Sequence, residues 1–371
     1  MKTAKSFNGD KLRLARLLNG YTQKQLGDCV SVSRQFIHQM ESDDKSPAND
    51  VLEALCEALK VECKFFEKPV GNDVKFEQCH FRKRRTTPVG LSHRVLSFST
   101  VFEELVEYFH GFLDLPEKNI PDIKRNQDNY SNEEIERAAE FCRRGWGLGT
   151  DAPISNITRV LENAGVVITH FSGVSEKVDA LSVNRRYPII VRNTAKESVC
   201  RMRFDLAHEL GHFVLHDGIE TGDKITEGQA DKFASAFLFP RSAFIKEFPD
   251  MKNSRIKWKL IYQLKIRWKM SVRAIIYRAH YLGLISAQQF RSANVRLNKT
   301  GQTKTEDFDE LIEPEQPEIL ETAFDLMREE LGITFGDIAK VLGVKKEMLT
   351  DITGVREIAV IHANNVTPIA I

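Results

Sequence analysis

Apolar residues recur along most of this chain at helical spacing, and the pattern changes character only once. Near the N-terminus Leu12, Leu14, Leu17 and Leu18 make a stripe that Gly20-Tyr21 ends. Thr22 then caps a helix over Gln23–Cys29, with Gln25 at the capping-box position. A tight Val30-Ser31-Val32 turn follows, a second short helix opens at Ser33 and runs to Glu41, and Leu52, Leu55 and Leu59 mark another beyond a polar turn. Within 95–145, Phe102, Leu105, Val106 and Phe109 share one helical face, and a further helix opens at Ser131-Asn132-Glu133-Glu134. The exception is a pair of β-branched runs, 165–169 and 187–191, which read as strands. Helices resume near Glu197, with Trp258, Ile261, Leu264, Trp268, Ile275 and Ile276 at helical spacing. The expected fold is mainly α with a small β-sheet: an N-terminal five-helix bundle, an α+β middle and a helical C-terminal region.

A chain of 371 residues exceeds one small core. The expected divisions are 1–68, a basic linker at 69–94, a middle domain at 95–248, a helical extension at 249–297, an acidic linker at 298–317, and a C-terminal unit at 318–371. That last unit repeats the first: Gly332-Ile333-Thr334, Ile338, Leu342, Val344 and Leu349 match Gly20-Tyr21-Thr22, Leu26, Val30, Val32 and Ile37 at a constant offset of 312. Its third helix offers Lys345, Lys346 and Glu347, which suits packing or dimerisation better than base reading. Net charge is only +1, yet Lys75, Arg82, Lys83, Arg84, Arg85 and Arg94 cluster, as a solvated hinge or near phosphate. The six cysteines contain no C-x-x-C pair, and neither a signal peptide nor a membrane-length apolar run is present. The expectation is a cytoplasmic protein with no membrane partner, whose metal ligands would be histidines and carboxylates.

Two short helices across a tight turn, inside a small bundle, make a helix-turn-helix pattern. Residues 8–67 resemble the XRE family of Cro/C1-type repressors through Thr22-Gln23-Lys24-Gln25-Leu26, then Ser33-Arg34-Gln35, Ile37 and Glu41. The resemblance implies that the second helix enters the major groove of double-stranded DNA, with Ser33, Arg34, Gln35, His38 and Gln39 toward it. Arg and Gln suit that role because their paired hydrogen-bonding groups match guanine and adenine edges. The same packing also serves helical protein-interaction domains.

The chemistry concentrates at His208-Glu209-Leu210-Gly211-His212. Histidines four apart project from one helical face and can share a zinc ion, while Glu209 beside them is placed to take a proton from the attacking water. A third ligand is needed. Leu215 and Gly218 stand where the metzincin pattern needs Gly and His, which excludes that class. His216 lies about 12 Å along the helix axis from His208, which suits a supporting residue better than a ligand. Glu227 and Asp231, four apart on a downstream helix, fit an arrangement in which the first carboxylate ligates zinc and the second orients a ligand histidine; Glu220 and Asp223 compete for the ligand role. The layout is similar to that of glutamate-zincins. Tyr277, Arg278 and His280 offer possible oxyanion donors, with a core role more natural for Tyr277, and the strand at 188–191 offers an edge to an extended peptide.

Taken in order, the strand at 165–168, the strand at 188–191, Arg203-Phe204, HELGH, His216, Glu227-x-x-Ala230-Asp231-x-Phe233-Ala234 and Leu238-Phe239-Pro240 resemble the ImmA/IrrE family of metallopeptidases over about residues 130–245. The resemblance implies a zinc-dependent peptidase, with His208, His212 and Glu227 as ligands, Glu209 as catalytic base and Asp231 behind His208. Its implied partner is a protein substrate, a helix-turn-helix repressor whose cleavage derepresses genes of stress response, mobile elements or phage defence; the chain itself is another possible substrate. Gln229, Phe237 and Phe239 depart from the family pattern without touching a proposed ligand. The remaining expectations are a homodimer and, as the alternative function, a transcription regulator whose zinc-site domain senses and cuts little.

Overall fold

The structure is a computed structural model describing residues 7–69, 71, 79–81, 89–121, 123, 129–170, 180–192, 198–219, 221–251 and 255–357. Lys75, the basic run at 82–85 and the competing carboxylate Glu220 lie outside them. The N-terminal bundle is α1 (Gly9–Leu18), α2 (Gln23–Cys29), α3 (Arg34–Glu41), α4 (Asn49–Ala58) and a 3-10 turn at Cys63–Glu67, the five expected pieces. The capping box at Thr22 forms: its Oγ1 accepts the Gln25 N–H at 3.2 Å, and Gln25 Oε1 accepts the Thr22 N–H at 2.8 Å. Between α2 and α3 the chain turns so closely that a Cβ at Gly27 would stand 2.7 Å from the Val32 carbonyl oxygen.

Strand β1 (Cys79–Phe81) and α5 (Val89–His110) lead to α6 (Asn132–Gly145), α7 (Ile157–Asn163), β2 (Val167–His170), β3 (Ala180–Val183) and β4 (Ile189–Arg192). The sheet order is β1-β3-β4-β2, with β2 and β4 parallel and the other pairs antiparallel. Alternation along the strands gives the two faces to two different cores. Val167, Val183, Ile189 and Val191 join α5 and the N-terminal helices. Ile168 and Ile190 join the core of the helices that follow: α8 (Val199–Leu215), α9 (Lys224–Leu238), α10 (Arg241–Glu247), α11 (Trp258–Trp268), α12 (Val272–Tyr281) and α13 (Ala287–Lys299). Helix α5 therefore packs with the N-terminal bundle, where buried Lys11 of α1 meets Glu104 at 2.7 Å.

The C-terminal repeat folds as α14 (Ile319–Leu331), α15 (Phe335–Leu342) and α16 (Lys346–Thr353), the last two at the offset of 312 from α2 and α3. Thr334 repeats the capping box, with Asp337 in place of Gln25. This unit is seated inside the molecule. Val61 and Val344 form an antiparallel bridge, the Lys345 N–H donates to the Lys60 carbonyl at 2.9 Å, and Thr169 of β2 donates to the Ile352 carbonyl at 2.9 Å. The acidic stretch before it is anchored too. Glu306 accepts the N–H groups of Val272 and Arg273 at 2.7 and 3.1 Å, and Glu315 meets Arg203 and the Thr158 N–H.

Candidate metal centre and DNA interface

Helices α8 and α9 cross so closely that a Cβ on Gly211 would lie 3.1 Å from the Phe233 ring. That approach sets the two sequence motifs face to face. The Nε2 atoms of His208 and His212 are 3.0 Å apart, and each is 3.4 Å from an oxygen of Glu227. Among the described residues these three form a group whose ligand atoms all lie within 4.8 Å of one another. Asp223, the described competitor, instead accepts the N–H groups of Ile225 and Thr226 at 2.7 Å each, capping α9.

The far sides of both rings are held. His208 Nδ1 meets Asp231 at 2.8 Å. His212 Nδ1 meets His216 Nδ1 at 2.9 Å, His216 Nε2 meets Gln229 Oε1 at 2.8 Å, and Gln229 donates to Asn129 at 3.1 Å. A single proton arrangement satisfies the second chain: His216 donates to Gln229 and accepts from His212. Burial pushes His216 below the usual imidazole range, in keeping with a neutral ring. Both ligand candidates then carry their proton on Nδ1 and turn Nε2 lone pairs toward each other and toward a carboxylate. That donor set of two imidazoles and one carboxylate suits a divalent cation of the zinc kind. His216 thus holds the ring of a candidate ligand through a chain that runs by way of Gln229, one of the three departures from the family pattern, to Asn129.

Glu209 is 2% exposed and accepts a hydrogen bond from Ser182 of β3. Burial raises its carboxyl to about 7, against the downward pull of His208 and Ser182. Nothing in the sequence singles out Ser182: a serine in a four-residue strand carries no signal.

Three expectations change. The 188–191 strand is no edge, because β4 lies between β3 and β2 and both its sides are hydrogen-bonded. Arg278 is no oxyanion donor: it is buried in a two-pronged pair with Glu136 at 3.0 and 2.9 Å. Tyr277 is not a core residue but 45% exposed.

On the N-terminal bundle, Arg34, Gln35 and His38 are exposed on one side of α3, and Gln39 is half-buried. Ser33 is the N-cap, its Oγ accepting the Phe36 N–H at 3.1 Å. Glu41 locks this helix from behind, paired with Arg16 of α1 at 2.5 and 3.1 Å and accepting from Gln23 of α2 at 2.7 Å.

Comparison with known proteins agrees with both halves. Residues 12–66 match the helix-turn-helix family model, and residues 161–280 match that of the IrrE N-terminal-like domain, a peptidase family. The chain belongs to the XRE-type helix-turn-helix regulators and carries an IrrE-like peptidase domain behind the DNA-binding one. The transcriptional regulator ClgR of Mycobacterium tuberculosis, matched in two strains, is 30% identical over 82 residues, spanning 22% of this chain and 70% of that protein. Among the described residues no helix is long and apolar enough to cross a membrane.

Proposed function

We propose that this protein is a DNA-binding regulatory zinc metalloendopeptidase that cleaves a repressor or another regulator, or itself. The observation that carries this is the convergence of the His208 and His212 Nε2 atoms on Glu227, with both Nδ1 atoms engaged and buried Glu209 beside them. His208, His212 and Glu227 would hold zinc, and Asp231 and His216 would orient the two imidazoles. Zinc held there supplies a Lewis acid that polarises the scissile carbonyl and eases ionisation of the attacking water. Glu209 takes the proton of that water and passes it to the leaving amine, and Ser182 fixes the carboxylate for both transfers. The exposed face of α3 brings the enzyme to DNA, which suits an enzyme that acts on a regulator there.

The test compares the purified chain with Glu209→Gln. Both should carry about one zinc, the stoichiometry of a three-ligand site, and His208→Ala should carry none. Co-expressed with the products of neighbouring genes, the parent should release a fragment that Glu209→Gln does not. Parent and Glu209→Gln behaving alike in every cleavage and derepression assay would leave a regulator that senses metal without cutting.

A further inference from the structure

An extended peptide is commonly held by main-chain pairing to an exposed strand edge, and the fold limits which edge can serve here. Ser182 on β3 reaches Glu209, so β3 is the strand that touches the proposed reacting centre. Its inner side is occupied by β4, and β2 lies beyond that, two strand spacings or roughly 10 Å away. Only the outer side of β3 lies next to Glu209 and away from the middle of the sheet. That side is filled by β1, three residues drawn from the stretch that joins the N-terminal bundle to α5. The pairing is antiparallel, with Cys79 opposite Val183, His80 opposite Ser182 and Phe81 opposite Leu181.

Resting on the peptidase reading of the 208–231 site, we propose that Cys79–Phe81 is a built-in occupant of the substrate edge. A peptide segment of the chain itself lies on β3, and it must leave before another protein's backbone can pair there. The substrate class follows: an extended segment bound chiefly through main-chain N–H and C=O groups, with at least three consecutive residues free to form a strand. Three residues make a short ladder, so the occupant is displaceable. His80 sits opposite Ser182, the residue bonded to Glu209, so the occupant runs past the strand position that faces the proposed base.

The experiment uses the full chain carrying Glu209→Gln, so that no readout depends on turnover. Along a strand the N–H groups alternate sides, so either His80→Pro or the double change Cys79→Pro, Phe81→Pro removes the N–H groups that β1 directs at β3. The probe is a fluorescein-labelled synthetic peptide of residues 76–86 carrying Cys79→Ser. One of the two proline forms should bind it at least tenfold more tightly than the chain with β1 intact. In that form the amides of residues 181–183 should lose protection from hydrogen exchange and regain it when peptide is added. With β1 intact, the amides of residues 79–81 should exchange at least tenfold more slowly than in the free peptide. Equal peptide affinity in all three forms would overturn the proposal. So would free-peptide exchange rates at residues 79–81, a result that needs no variant to fold. A chain that passes these tests yet never cuts refutes the peptidase reading alone, and one that cuts but fails them refutes the occupant alone.

Discussion

Removing Glu315 should destabilise the peptidase core far more than its place in an acidic, linker-like stretch implies. Its carboxylate is 7% exposed and paired with Arg203, which is 1% exposed and sits on α8 five residues before His208. It also accepts the Thr158 N–H at 3.0 Å, while its own carbonyl accepts from Arg192 at 3.3 Å. Burial lowers Arg203 only to about 10, so the guanidinium stays charged at neutral pH. In Glu315→Ala it keeps one bond, to the Ile154 carbonyl at 2.7 Å, and loses its counter-ion. Breaking a buried pair this way costs about 3–5 kcal/mol, against a typical total of about 5–15. The double variant Arg203→Met, Glu315→Leu removes both charges and should recover to within about 2 kcal/mol of the parent, the remainder coming from the Thr158 N–H and the Ile154 carbonyl, which lose their partners. Urea unfolding followed by tryptophan fluorescence reads this directly, since Trp268 is buried in the same core as α8. A loss below 1 kcal/mol in Glu315→Ala, or a double variant no better than the single, would refute the reasoning.

His216→Ala should weaken zinc binding about 10- to 100-fold by freeing the His212 ring, as read by competition with a chromophoric chelator; unchanged affinity would remove His216 from the site. His170 is pushed down to about 4 by burial and by Arg192 at 3.4 Å. The unfolded chain therefore takes up a proton near pH 6.5 that the folded one refuses until about 4, and stability falls as pH drops through that window. His170→Gln should flatten the slope by about 1–2 kcal/mol after allowance for solvent screening; an unchanged pH profile of the urea midpoint would contradict it. Arg34→Ala with Gln35→Ala, both exposed on α3, should abolish operator binding in a gel-shift assay and leave metal content intact. Undiminished binding would move the DNA contact elsewhere.

What could be read from the sequence is what local geometry decides. Thr22 with Gln25, His208 with His212 and Glu227 with Asp231 each lie three or four residues apart on one helix, so helical period alone brings them together. The repeat at offset 312 was legible for the same reason, since it copies one local pattern. What stayed hidden depends on pairings distant in sequence. The Ala-Leu-Ser-Val run at 180–183 lacks the consecutive β-branched residues that marked β2 and β4, so neither β3 nor the Ser182 bond to Glu209 could be anticipated. Arg203 and Glu315 meet across 112 positions, and the acidity of the stretch around Glu315 signals solvent, not a buried partner. The interior position of β4 follows from strand order, which no single strand encodes. The division has a functional edge. The proposed ligands and base sit on two helices and announce themselves, whereas the proposed occupant of the substrate edge lies in the sheet, where only the pairing of β1 with β3 places it. Helical motifs therefore carry the proposed chemistry in plain view, while the proposed control rests on a strand pairing that no motif marks.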